Sequence, residues 1–65
     1  MPLSPEKIIA IMEAKQVSRA ELARRTGIAP PHVTRLLSGE SENHSLATVE
    51  RIATALKCPI KKLLA

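Results

Sequence analysis

With 65 residues, the chain has room for one small domain, which buries only about 60% of its unfolded surface, and a substrate pocket is hard to fit in such a body. It contains no Phe, Trp or Tyr, so its core has to be built from Ile, Leu, Val, Met and Ala. The net charge of +4 and a pI near 9.9 favour a polyanionic partner; charge alone equally allows an acidic membrane surface, and an ordinary lysine-rich exterior gives the same balance.

In chain order, residues 1–3 read as a short frayed arm. The start MPLSPEK lacks a basic lead-in and a long apolar run, and no apolar stretch approaches membrane-spanning length, so the expectation is a cytoplasmic protein. Ser4 caps a first helix, with Pro5 at its first position and Glu6 at the positive end of the dipole. Ile8, Ile11 and Met12, with Ala14 or Lys15, carry that helix to a turn at Gln16, and Val17 plugs the core. Ile9 lies off this stripe and either packs on the last helix or stays partly exposed at an interface.

Residues 18–39 read as two short helices joined by a tight turn. Ser18 with Glu21 makes a capping box, in which the hydroxyl takes the Glu21 N–H and the carboxylate reaches back. Gly27 ends the helix that begins at Arg19, and Arg24 and Arg25 suit the negative end of its dipole. Pro30 and Pro31 open the second helix, where a missing N–H costs little, and Gly39 stops it. Leu22 and Ala23, Ile28 in the turn, and Val33, Leu36 and Leu37 supply the buried stripes. Ala23 is small enough to let the two backbones cross closely. His32, Thr34, Arg35 and Ser38, with the two prolines, are left as a polar, partly basic face without a carboxylate.

Residues 40–45 form a polar loop without periodicity. Ser45 caps a helix over residues 46–57, with Leu46, Val49, Ile52, Ala53 and Leu56 as its stripe. Pro59 starts a last helix over residues 60–64, whose Ile60, Leu63 and Leu64 cover the first helix or a partner chain. The expected fold is therefore all-α with five helices. The lone Cys58 allows no internal disulfide.

Ala23, Gly27, Val33 and Leu36, with Ser18, Glu21 and Leu22 before them and the run SLATVERIATAL after, resemble the helix-turn-helix domain of the Cro/C1-type (XRE) family of bacterial and phage regulators. The resemblance covers nearly the whole chain. It implies a five-helix, lambda-repressor-like DNA-binding domain over residues 1–65 with the helix-turn-helix at about 18–39. It also implies that the helix Pro30–Ser38 enters the major groove while the start of Arg19–Thr26, at Ser18 and Arg19, rests on a phosphate. Cys58 then stands where relatives have an aliphatic residue and reads as a small hydrophobe, with a redox switch or intermolecular disulfide as the alternative.

The chain departs from the family at several positions. Many relatives bury an arginine and a glutamate where this chain has Met12 and Leu37, so an apolar contact is expected to replace that ion pair. Glu40 and Glu42 stand where a basic residue usually follows the glycine, which removes that phosphate contact and leaves Ser41 and Asn43 as phosphate donors. His44 replaces the proline of the family's Asn-Pro-Ser, and Lys57 replaces a common glycine. The prolines ahead of the recognition residues are most similar to the antitoxin branch.

Arg35 is the leading base-reading candidate, because a guanidinium can pair with guanine O6 and N7 for about 1–3 kcal/mol of discrimination. The alternative is a solvated surface arginine. His32 and Thr34 can meet a base edge, a phosphate or nothing, and Pro31 can offer only an apolar surface, for instance to a thymine methyl. Arg19 and Arg24 are further phosphate candidates, Arg25 adds background attraction, and Lys61 and Lys62 read as solvated. His32 and His44 match no zinc spacing, and Glu42 with His44 lies on a loop with no evident pocket, so no metal, cofactor or catalysis is expected.

The expected function is that of a transcriptional regulator, a repressor that binds double-stranded DNA as a homodimer on a palindrome with half-sites about 34 Å apart. The dimer surface is expected at the loop before Ser45 and the last helix. Two alternatives stay open. One is an antitoxin that represses its own operon and binds a toxin protein; the other is a helix-turn-helix used only for protein interaction.

Overall fold

The computed structural model describes residues 2–39 and 44–65. Four α-helices follow one another, α1 (Pro5–Lys15), α2 (Arg19–Thr26), α3 (Pro30–Ser38) and α4 (Leu46–Leu56), and a 3-10 turn, Ile60–Lys62, comes last. The serine caps lie where the sequence puts them. Ser4, Ser18 and Ser45 accept the backbone N–H groups of Lys7, Glu21 and Thr48 at 3.3, 3.1 and 3.3 Å. The capping box at Ser18 is only half formed, because the Glu21 carboxylate turns instead to Arg24 and Arg25 on its own helix. At α3 no side chain caps the helix. Pro30 and Pro31 delete two of the amides that would need a partner, and His32 N–H donates to the Ala29 carbonyl at 2.9 Å.

All four helices stop in the left-handed region, but by two different routes. Gly27 and Gly39, with φ of 74° and 82°, close α2 and α3, each donating its N–H to the carbonyl four residues back. Gln16 and Lys57 do the same for α1 and α4 with φ of 57° and 53° and no glycine. Their ends are Schellman motifs: Val17 N–H reaches the Met12 carbonyl at 2.8 Å and Cys58 N–H that of Ala53 at 3.1 Å. A Cβ in this region is unfavourable, so tertiary contacts hold it there. At α4 those contacts are visible. Lys15 Nζ, from the end of α1, donates to the Leu56 and Lys57 carbonyls.

The core is aliphatic throughout. Ile8 and Met12 of α1, Leu22 and Ala23 of α2, Val33, Leu36 and Leu37 of α3, and Val49, Ile52, Ala53, Ala55 and Leu56 of α4 form one cluster with Leu3, Val17 and Leu63. In it α2 packs on both α3 and α4, and α1 packs on α3. Met12 and Leu37 are each 5% exposed in this cluster, so the family's ion-pair positions have become part of the hydrocarbon interior.

Several expectations need correction. The five-helix count becomes four plus a 3-10 turn, because Leu64 leaves the helical path to make an antiparallel bridge with Leu3. The same bridge means that Pro2 and Leu3 are no frayed arm; Leu3 is buried, and Ser4 N–H donates to the Leu63 carbonyl at 2.8 Å. Met1 lies outside the described residues. Leu46 is 53% exposed although it continues the α4 stripe, since it occupies the first turn, beyond the helices that cover Val49 and Ile52. Ile11 and Cys58 are half-buried at the margin of the core, as is Ile9.

Thr26 is the one buried polar side chain among the described residues. Its hydroxyl donates to the Leu22 carbonyl at 2.8 Å and accepts the Ile28 N–H at 3.2 Å, so it ties the end of α2 to the chain beyond Gly27. Replacing Thr26 by Val keeps the volume and strands the Ile28 amide; the expected loss is about 1–3 kcal/mol, read as a lower midpoint in urea with an unchanged slope. Lys57→Gly relieves a left-handed Cβ at an exposed position while its carbonyl still receives Lys15. Thermal denaturation is expected to move up by about 2–8 °C, from a net gain of about 0.5–1 kcal/mol after the larger chain entropy of glycine.

Candidate nucleic-acid interface

The turn between α2 and α3 decides what the second helix can present. With Leu22, Ala23 and Thr26 facing inward from α2, and Val33, Leu36 and Leu37 facing inward from α3, the opposite side of α3 is left to solvent. Pro31, His32, Thr34, Arg35 and Ser38 are all exposed. Pro31, Thr34, Arg35 and Ser38 fall at i, i+3, i+4 and i+7, one stripe along the helix, with His32 flanking Arg35. No carboxylate lies on α3.

Within this stripe the side chains differ in how free they are. Ser38 spends its hydroxyl on the Arg35 carbonyl at 2.9 Å. Arg35, His32 and Thr34 make no side-chain hydrogen bond or ion pair to the described residues. Pro31 carries neither donor nor side-chain acceptor. Arg35 and His32 line a groove of about 340 Å3 together with Ile28 and Leu36 and with His44 and Thr48 from around the start of α4. Sequence reasoning had not joined His44 and Thr48 to this surface, because a loop of unspecified path separates them from α3.

The basic residues sort into those used by the fold and those left over. Arg24 and Arg25 both pair with Glu21, Arg25 through Nε at 2.9 Å, and Arg25 also donates to the Ala55 carbonyl at 3.3 Å. Arg25 is thereby a link between α2 and α4 more than a source of background attraction. Arg24 remains widely exposed at 77%, and a surface pair of this kind is worth little, so a phosphate could replace Glu21 as its partner. Lys7 donates to the Leu64 carbonyl at 2.8 Å and Lys15 to the end of α4. Arg19, at the first position of α2, and Arg35 have no such commitment among the described residues.

Ser18 is exposed and its hydroxyl caps α2, while the Arg19 and Ala20 amides stand at the positive end of that helix. Ser41 and Asn43, the two loop residues expected to reach phosphate, lie outside the described residues, as do Glu40 and Glu42. Lys61 and Lys62 sit on the terminal 3-10 turn, exposed. Among the described residues no group of three His, Cys, Asp or Glu side chains could hold a metal ion. None of their helices is long and apolar enough to cross a membrane.

This arrangement, a short helix held by a glycine turn and presenting a carboxylate-free stripe, agrees with the comparison to known proteins. The model of the Cro/C1-type HTH DNA-binding domain matches residues 7–65. An uncharacterized HTH-type transcriptional regulator of Coxiella burnetii (strain RSA 493 / Nine Mile phase I) is 41% identical over 54 residues, which cover 83% of this chain and 25% of that protein. The chain thus spans about a quarter of the length of that relative. No solved structure matches the chain significantly. With the family model covering nearly the whole chain and the helix-turn-helix in place, the chain belongs to the Cro/C1-type HTH DNA-binding domain family.

Proposed function

We propose that residues 1–65 act as one sequence-specific DNA-binding domain of a cytoplasmic transcriptional regulator, a repressor that occupies a palindromic operator as a dimer. The observation that carries this reading is the division of the basic residues. Lys7, Lys15 and Arg25 serve backbone carbonyls and Arg24 is paired, whereas on the helix-turn-helix itself Arg35 of α3 and Arg19 at the start of α2 make no ion pair or side-chain hydrogen bond among the described residues. Arg35 reads a guanine edge, with Thr34 and His32 beside it and Pro31 against a thymine methyl. Arg19, the α2 amides and Ser18 hold a phosphate, with Arg24, Ser41 and Asn43 as supporting contacts.

A nine-residue recognition helix offers few base contacts, and two copies one helical turn apart, about 34 Å, double them. Repression follows from occupancy of an operator that overlaps a promoter, and needs neither a catalytic group nor a cofactor. The Coxiella protein's description as a transcriptional regulator supports the same assignment.

Fluorescence anisotropy with duplex DNA from upstream of the chain's own gene, against a scrambled duplex, tests base reading and phosphate anchoring separately. Arg35→Ala is expected to weaken the upstream duplex by about 1–3 kcal/mol and erase its advantage over the scrambled one. Equal weakening of both duplexes would mean that Arg35 meets only backbone. Arg19→Ala is expected to weaken both duplexes alike and to reduce the slope of log K against log salt by about 1. Sedimentation of the protein with the upstream duplex should give two chains per site; one chain per duplex removes the dimer.

A further inference from the structure

Two arginines share one carboxylate on α2, and they are held unequally. Glu21 Oε1 accepts the Arg25 Nε–H at 2.9 Å, and Glu21 Oε2 accepts an N–H of the Arg24 guanidinium. Arg25 also donates to the Ala55 carbonyl at 3.3 Å, which ties it to α4. Arg24 makes no second side-chain bond among the described residues. The side chains of Arg24, Arg25 and Glu21 are 77%, 43% and 27% exposed, so Arg24 is the member that can leave the cluster without breaking a contact between helices.

A long side chain on a helix leans over the turn N-terminal to its own Cα. For Arg24 that turn carries Ala20 and Glu21, at i−4 and i−3, and Ala20 is exposed and offers only a methyl group. It is also the turn whose Arg19 and Ala20 amides are assigned above to a phosphate. A phosphate oxygen is as good an acceptor for a guanidinium as a carboxylate oxygen, and an exposed pair at this spacing is weak. When Arg24 leaves, Glu21 still accepts from Arg25, so the exchange does not strip the carboxylate of its cation.

We propose that Glu21 is an exchangeable counter-ion of the DNA contact: it holds Arg24 in the free protein and yields it to a backbone phosphate in the complex, while Arg25 stays on Glu21 and Ala55. The inference rests on the DNA-binding reading above and adds to it a residue that sets the absolute affinity. Phosphate contacts carry no sequence information. Glu21 therefore lowers the affinity for every duplex by the same factor and leaves the preference between duplexes untouched. The factor is modest because the pair is exposed, and it shrinks as salt screens the charges.

The test is a double-variant cycle, read by anisotropy with the upstream and scrambled duplexes at low and high salt, for the unaltered chain, Glu21→Gln, Arg24→Ala and both together. Glu21→Gln keeps the Ser18 cap, which uses the Glu21 backbone N–H, and urea denaturation restricts the comparison to folded protein. At low salt Glu21→Gln is expected to tighten both duplexes alike, by about 2–5-fold, and most of that gain disappears when Arg24 is alanine. A gain of the same size without Arg24 overturns the exchange, because Glu21 then acts only as a charge that repels the strand. Unchanged affinity in Glu21→Gln overturns it as well, and a surviving preference for the upstream duplex leaves the DNA-binding reading intact. A gain confined to the upstream duplex overturns it by placing Arg24 on a base edge. Absence of binding to either duplex overturns both readings.

Discussion

The position of α3 depends on a single turn, and that turn is held by one hydroxyl and one glycine. Thr26 bonds back to the Leu22 carbonyl and forward to the Ile28 N–H, and Gly27 takes a φ of 74°, which costs a side-chain-bearing residue about 1–2 kcal/mol. Ala23 is buried in the core and Ile28 is packed half-buried against it, where α2 packs on α3. The exposed stripe from Pro31 to Ser38 has its direction only because these contacts leave the helix no other rotation that buries Val33, Leu36 and Leu37.

The rest of the molecule supports that unit with a core that has no aromatic residue to anchor it. Cations reaching across the fold compensate in part. Lys15 from α1 and Arg25 from α2 converge on the final carbonyls of α4, at Ala55, Leu56 and Lys57, where the helix dipole favours positive charge. α4 is thereby tied at its C-terminal end to both of its neighbours, and its Lys57 cap is held in a left-handed conformation without glycine. Leu3 and Leu63 close the other side, with the bridge to Leu64 replacing what a longer last helix would have supplied. The replacement of an ion pair by Met12 and Leu37 works in the same direction, because a small aliphatic interior does not then have to desolvate two charges.

Features that depend on a few adjacent residues were legible in the sequence. The serine caps, the two glycine stops, the prolines at the start of α3 and the inward faces of α2 and α3 follow from rules acting over one or two turns, and the structure has them all. What escaped depends on partners far along the chain. The sequence gives no sign that Leu3 bridges Leu64 while Ala65 N–H reaches the Pro2 carbonyl, and that contact is what shortens the last helix. Leu46 satisfies the periodicity of α4, but periodicity does not say where the covering helices end. Glu21 fits a capping box, yet two arginines three and four residues on compete for its carboxylate and win. Thr26 did have a local signal, since a threonine just before a helix-ending glycine can bond back to the carbonyl four residues earlier.

The prolines shape the proposed mode of binding as much as the arginines do. A helix that points into a DNA groove can hold a phosphate on its free first-turn amides, but α3 has lost two of them to Pro30 and Pro31, and His32 N–H is bonded to Ala29. Under the proposed mode, backbone anchoring on the DNA would fall to the start of α2, where the Arg19 and Ala20 amides stand beside a guanidinium with no hydrogen bond or ion pair among the described residues. In that mode α3 would read with side chains alone: one guanidinium, one hydroxyl, one imidazole and an apolar ring. So small a set gives each member a large share of any discrimination, and the loss of one side chain removes a correspondingly large fraction of the contact.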